Sequence, residues 1–196
     1  MNVGLIIVVN NNMTYKHLEY TQKASIGYSA IGGFVAGIVM MGVAMTTTVM
    51  IGMPYDTIPK AIGTAFGASL NNLIVTGLGM HLLTSIVVGI IFGIVTGNVK
   101  KLQITGFRKG IGLGLITGII AFVVISLPVS TVVLPPILVK FIMHMHPDMT
   151  KEMAMIALQQ KKMLIMSTAI IRHLVYGVIL GTIVTIIIIR LQKLEK

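Results

Sequence analysis

Residues 163–189 read MLIMSTAIIRHLVYGVILGTIVTIIII, an apolar tract broken by a single charge, Arg172. At about 1.5 Å of rise per helical residue, a tract of this length exceeds the roughly 30 Å hydrocarbon core of a bilayer. Three further tracts carry no charge at all: Ala24–Tyr55, Ala61–Val99 and Gly110–Val139. About 20 apolar residues cross a bilayer, so each tract holds one span and none comfortably holds two. The expected spans lie near 26–50, 73–97, 110–133 and 167–190. Backbone polar groups in lipid must be satisfied inside a helix or a closed barrel. These tracts are too long and too continuously apolar for barrel strands. The expected fold is therefore all-α, a single membrane domain over residues 1–196 with four transmembrane helices.

The composition agrees. Of 196 residues, 55% are hydrophobic and 10% charged, against about 25% charged in a soluble domain. That balance excludes a large soluble enzyme and a disordered regulator. The net charge of +10 would suggest nucleic acid on a soluble chain. Here the basic residues fall between the apolar tracts, where they set topology and meet lipid headgroups, so no nucleic-acid partner is expected. Cysteine and tryptophan are both absent, which removes disulfides and thiolate metal sites. Met1–Val9 has no basic n-region and too short an apolar stretch for a cleaved signal peptide.

Orientation follows from the side richer in Lys and Arg. Lys16, Lys23, Lys100, Lys101, Arg108, Lys109, Arg190, Lys193 and Lys196 fall on one side, against Lys60, Lys140, Lys151, Lys161 and Lys162 on the other. Both termini are therefore expected in the cytoplasm of a multi-pass cell-membrane protein, with segment 140–162 facing outward. Residues 1–22 read as a polar or interfacial segment. Thr57 to Asn72, with Pro59, Gly63 and Gly67, reads as a short outer helix, interfacial or re-entrant, the interfacial form needing no surrounding protein at depth.

Small residues recur at four-residue spacing in every span. Ser25, Ser29, Gly33 and Gly37 lie in the first, and Gly110, Gly114 and Gly118 in the third. The second carries His81, Ser85, Gly89 and Gly93; the fourth carries His173, Gly177 and Gly181. Such ridges allow close approach of a neighbouring helix. A His leading the ridge in both even-numbered spans points to two similar hairpins in parallel repeat, an arrangement that does not by itself imply transport.

His81 precedes Lys100 by 19 residues and His173 precedes Arg190 by 17, which places both imidazoles about 26–28 Å above the cytoplasmic boundary. That is near the outer interface, where the two are close enough in depth to meet. The ordinary expectation is that each bonds a backbone carbonyl or hydroxyl of the neighbouring hairpin. Arg172 is the one charge inside a span and hence a functional candidate. The ordinary alternative is that it snorkels outward or pairs with Asp56, Asp148 or Glu152.

Catalytic equipment is sparse. Glu19, Asp56, Asp148, Glu152 and Glu195 are the only acids, all outside the spans, and the chain has no metalloprotease, phosphate-loop or nucleophile-elbow motif. Independent catalysis is not expected. One unusual stretch is Met143-His144-Met145-His146-Pro147-Asp148-Met149. Thioether and imidazole ligands suit copper, so Met143, His144, Met145, His146 and Met149 form a candidate metal site. Against this, the chain has 15 Met, and Met is an adaptable filler of apolar gaps.

The pattern Arg172-His173-Leu174-Val175-Tyr176-Gly177-x3-Gly181, with the glycine ridge of the first span, resembles small four-helix inner-membrane families of unknown function. That resemblance implies a fold and no activity. The outward Met/His segment, the absence of Cys and the Ile/Met/Lys/Asn-rich character are also similar to proteins of ammonia-oxidising archaea, whose copper-dependent ammonia monooxygenase includes small hydrophobic accessory subunits. The expectation is thus a non-catalytic accessory subunit with other membrane subunits and the bilayer as partners, its ridges at Gly33, Gly37, Gly89, Gly93, Gly114, Gly118, Gly177 and Gly181 used partly on such partners. The alternative is a small transporter or channel, for a soft metal ion such as copper, with His81, His173 and Arg172 on the route. An enzyme acting on lipids at the outer interface ranks last.

Overall fold

The computed structural model describes the backbone of residues 3–194 and the side chains of residues 25–191. Every regular element among them is helical: α1 (Val3–Met50), α2 (Thr57–Ala65), α3 (Leu73–Asn98), α4 (Phe107–Ala121), α5 (Leu134–Met145) and α6 (Lys151–Leu194). Four helical stretches are long and apolar enough to cross a membrane: Ser25–Met50, Leu70–Asn98, Phe107–Met145 and Lys151–Leu191. The polar segment expected at 1–22 lies outside the residues whose side chains are described.

The first hairpin turns through two similar helix stops. Met53 N–H donates to Thr48 O (3.1 Å) and Gly52 N–H to Val49 O (2.9 Å), with Gly52 at φ +78°. Ala68 donates to Gly63 O (3.0 Å) and Gly67 to Thr64 O (3.0 Å), with Gly67 at φ +73°. Both are Schellman ends, in which glycine takes the left-handed conformation that a Cβ would penalise. Between them α2 lies against the start of α3. A Cβ on Gly63 would strike the Leu73 carbonyl, and one on Gly77 the Pro59 carbonyl.

The second hairpin departs from the expected bounds. The helix of the third stretch does not stop near 133: α4 passes into two π-helical turns, Phe122–Ser126 and Val129–Val133, and on through α5 to Met145. Proline has no N–H, so Pro128, Pro135 and Pro136 withhold the bonds that the carbonyls of Val124, Thr131 and Val132 would accept. The π turns take in those carbonyls, and the wider register keeps the rod continuous. The helix that carries the fourth apolar stretch starts at Lys151, well before 167. Thr150 Oγ1 accepts from Met153 N–H (3.2 Å) as its N-cap. With 44 residues, α6 is about 66 Å long. Segment 140–162 is accordingly two helix ends joined through 146–150, and His173 stands midway along α6.

The helix order across the bundle is α3–α1–α6–α4: α1 packs on α3 and α6, α6 on α4, and α3 makes little contact with α4. Two apolar clusters result. One, of Ala36, Phe92, Ile104, Tyr176, Leu180 and Val184, joins the hairpins. The other binds α2, α5 and the start of α6 through Met53, Ala61, Leu134, Leu138, Val139, Ile142 and Ala154. Lys161 Nζ also donates to Ile51 O (2.6 Å), placing a cation on the carbonyl end of α1.

Candidate functional site

The glycine ridges bring the helices together below a central cavity. A Cβ on Gly33 would lie 3.0 Å from Gly89 Cα, and one on Gly89 would lie 2.9 Å from Gly33 Cα. Gly37 meets the Ser85 side chain and Gly93 meets that of Ser29. In the other pair, a Cβ on Gly114 would lie 2.9 Å from Gly181 Cα and would strike the Gly177 carbonyl; Gly118 faces the His173 carbonyl. All eight ridge glycines thus face helices of this chain.

Above these crossings the helices leave a cavity of about 220 Å³, to which α2 and all four long helical stretches contribute. α3 turns His81, Thr84, Ser85 and Val88 toward it, and α6 turns Arg172, His173 and Tyr176. These spacings of one, three, four and seven keep side chains on neighbouring helix faces. Met40, Met41 and Ala44 line it from α1, and Ile58, Ile62 and Phe66 cover it from α2. Ser126 and Ser130 face it from the third span.

The polar groups differ in how they are held. His81 Nε2–H donates across the pair to Gly37 O (3.0 Å), and Ser85 Oγ donates to His81 O (2.9 Å). His173 Nδ1–H donates to Ala169 O (2.8 Å) in its own helix, with its ring edge-to-face with Phe122 at 5.6 Å. A carbonyl only accepts, so each imidazole must supply the proton from the named nitrogen. Neither His reaches the neighbouring hairpin, contrary to expectation. At the cavity the hairpins are tied by Tyr176 Oη–H, which donates to Ser85 O (2.7 Å), as Lys161 ties them at the end of α1.

Arg172 departs further from expectation. It is 9% exposed, so it does not snorkel. Among the described residues it has no carboxylate partner: Asp56 pairs with Lys60 (2.6 Å), and Asp148 and Glu152 are exposed. A buried guanidinium without a counter-charge is costly and carries five N–H donors and no acceptor.

The Met/His segment divides. Met143, Met145 and Met149 are partly buried against the α2–α5–α6 apolar cluster, whereas His144 and His146 are exposed at the end of α5. Among the described residues no group of three or more His, Cys, Asp or Glu gathers in a metal-holding arrangement. The thioethers act here as packing groups, the role Met commonly takes.

Of the lining residues, His81, Arg172 and His173 stand out in the sequence, whereas Met80, Phe66, Ser126 and Ser130 do not. The i, i+4 hydroxyl pair Ser126/Ser130 in an apolar tract was the available signal. No protein-family model, curated protein or solved structure matches this chain.

Proposed function

We propose that this chain is a non-catalytic multi-pass protein of the cell membrane that works by receiving a small anionic ligand in the cavity around Arg172, in the manner of a small transporter or carrier. Arg172 carries the reading: it is buried, lacks a carboxylate partner among the described residues, and lines a cavity. An ionisable residue at membrane depth marks a functional site by default. The same fixed positive charge disfavours a metal cation beside His81 and His173, so copper on this route is not favoured. The wider frame keeps both termini cytoplasmic, from the Lys/Arg count, and two hairpins in parallel repeat, which the matching Gly33–Gly89 and Gly114–Gly181 crossings support. The test is native mass spectrometry of the protein purified from its own membranes. A ligand adduct on wild type that is lost in Arg172→Gln supports the reading; identical adduct patterns refute it.

The second reading is an accessory subunit of a larger membrane complex, a copper-dependent ammonia monooxygenase being the named case. One observation favours it: Gly27, Gly42, Gly79 and Gly112 have no atom within 4 Å of where a Cβ would stand, which leaves small-residue spots for a partner helix. Mild solubilisation, native gel separation and mass spectrometry of the band decide it. Co-migration with catalytic subunits supports the accessory reading, and migration as a lone monomer removes it.

A further inference from the structure

The cavity has a side as well as a floor. α3 and α4 flank the bundle and make little contact with each other, and the cavity is lined from both sides of the cleft between α3 and the third span. At its rim Phe66 is 58% exposed and Ile125 37% exposed. Outward of the cleft, Leu83 and Val87 on α3 are exposed apolar residues, as expected of a lipid-facing surface. The volume of about 220 Å³ is below the roughly 300–1,000 Å³ of sites that enclose a drug-sized ligand. The space therefore suits a head group with part of a chain better than a whole large molecule.

The geometry points to one class of ligand: a single-chain amphiphile with an anionic oxygen head group, its head on Arg172 and its chain leaving sideways between α3 and the third span into the lipid. This rests on the anion-binding reading above and adds the substrate class and the route. Arg172 supplies the charge and a planar fork that matches a carboxylate or phosphate. The ring nitrogens that the backbone bonds leave over, Nδ1 of His81 and Nε2 of His173, are acceptors in the neutral imidazoles and offer contact for a head-group hydroxyl. Met80 and Val88 are the apolar wall along the route. A free anion shares the head-group chemistry but has no use for that wall.

The experiment uses the full chain in phosphatidylcholine nanodiscs and a dodecanoate probe carrying a photoactivatable group near its chain end. Crosslinked peptides are mapped by mass spectrometry. Expected is labelling on α3 and the third span beside the cleft, displaced by excess dodecanoate and not by dodecanol or dodecyltrimethylammonium. Arg172→Gln should lower that labelling at least about tenfold, the loss of one charge-assisted head-group contact, while Arg172→Lys retains much of it. Thr84→Phe narrows the cleft with Arg172 in place and should lower labelling as well, which keeps the test decisive if Arg172→Gln does not fold. Equal displacement by dodecanol, or labelling indifferent to Thr84→Phe, overturns the amphiphile proposal. Displacement by acetate or inorganic phosphate as readily as by dodecanoate also overturns it, while leaving the anion-binding reading standing. No labelling sensitive to either Arg172→Gln or added anion overturns both.

Discussion

The α1/α3 and α4/α6 pairs are joined by the same device and finished differently. Each crosses on glycines that admit no Cβ, Gly33 with Gly89 in one and Gly114 with Gly177 and Gly181 in the other. Above the crossing the first pair is clamped by His81 on Gly37 O. In the second, His173 turns back on its own helix and rests against Phe122, the first residue of a π turn. Beyond the crossing the first pair soon ends, at Met50 and Leu73, and is covered by α2; the second runs on through α5 and the start of α6. Similar crossings make a scaffold, and the unlike upper halves leave the space that Arg172 lines. The site thus lies where the two pairs stop resembling each other.

The largest effect should come from filling a crossing. Gly89→Val and Gly114→Val each drive side-chain carbon into backbone, and each should cost about 3 kcal/mol or more, read as loss of monodisperse folded protein in a detergent melt. Gly112→Ala has open space and should hold or gain stability by up to about 1 kcal/mol through helix propensity. If one pair tolerates valine and the other does not, the equivalence of the two crossings is broken.

Next in size, and opposite in sign, Arg172→Met should stabilise the empty protein by about 1–3 kcal/mol, because it removes a buried charge without a counter-ion. A higher melting temperature together with lost ligand is the expected pair of results. A lower one would mean that Arg172 holds the bundle together, and the contrast between scaffold and site would fail.

Tyr176→Phe deletes the bond between hairpins beside the cavity and should cost about 1 kcal/mol, leaving Ser85 O with its partner within α3 alone. Hydrogen exchange should rise around Ser85 and 176 while the two glycine crossings stay protected, sharpening the distinction between each pair and their union. Smallest is Lys161→Met, which removes the cation from the end of α1. It should cost about 0.5–1 kcal/mol, seen as faster exchange in residues 47–53 alone.

The four apolar stretches were legible in the sequence because charges punctuate them and nothing inside them competes. The glycine ridges were legible because four-residue spacing is local. The ends of the third and fourth helices were not. A proline normally ends or kinks a helix, so nothing local around Pro128, Pro135 and Pro136 signals a continuing rod, and the widened π turns carry it on to Met145. In the Met/His segment the sequence shows residue type and not direction: Met143, Met145 and Met149 pack against the α2–α5–α6 cluster, while His144 and His146 are exposed.

By itself, then, the sequence determined an all-helical chain with four membrane-length apolar stretches, which side of them is basic, and which faces are small enough for close helix contact. Those properties follow from composition and period, which need no knowledge of neighbours. Only the folded chain shows what Arg172 faces, that Tyr176 and Lys161 and neither His bond across the hairpins, and that α2 and the four long stretches leave a cavity among them. The reason is physical: burial and partnership belong to pairs of residues far apart in the chain, such as 85 and 176. A charge at position 172 has no meaning as a site until the helices around it either cover it or leave it room.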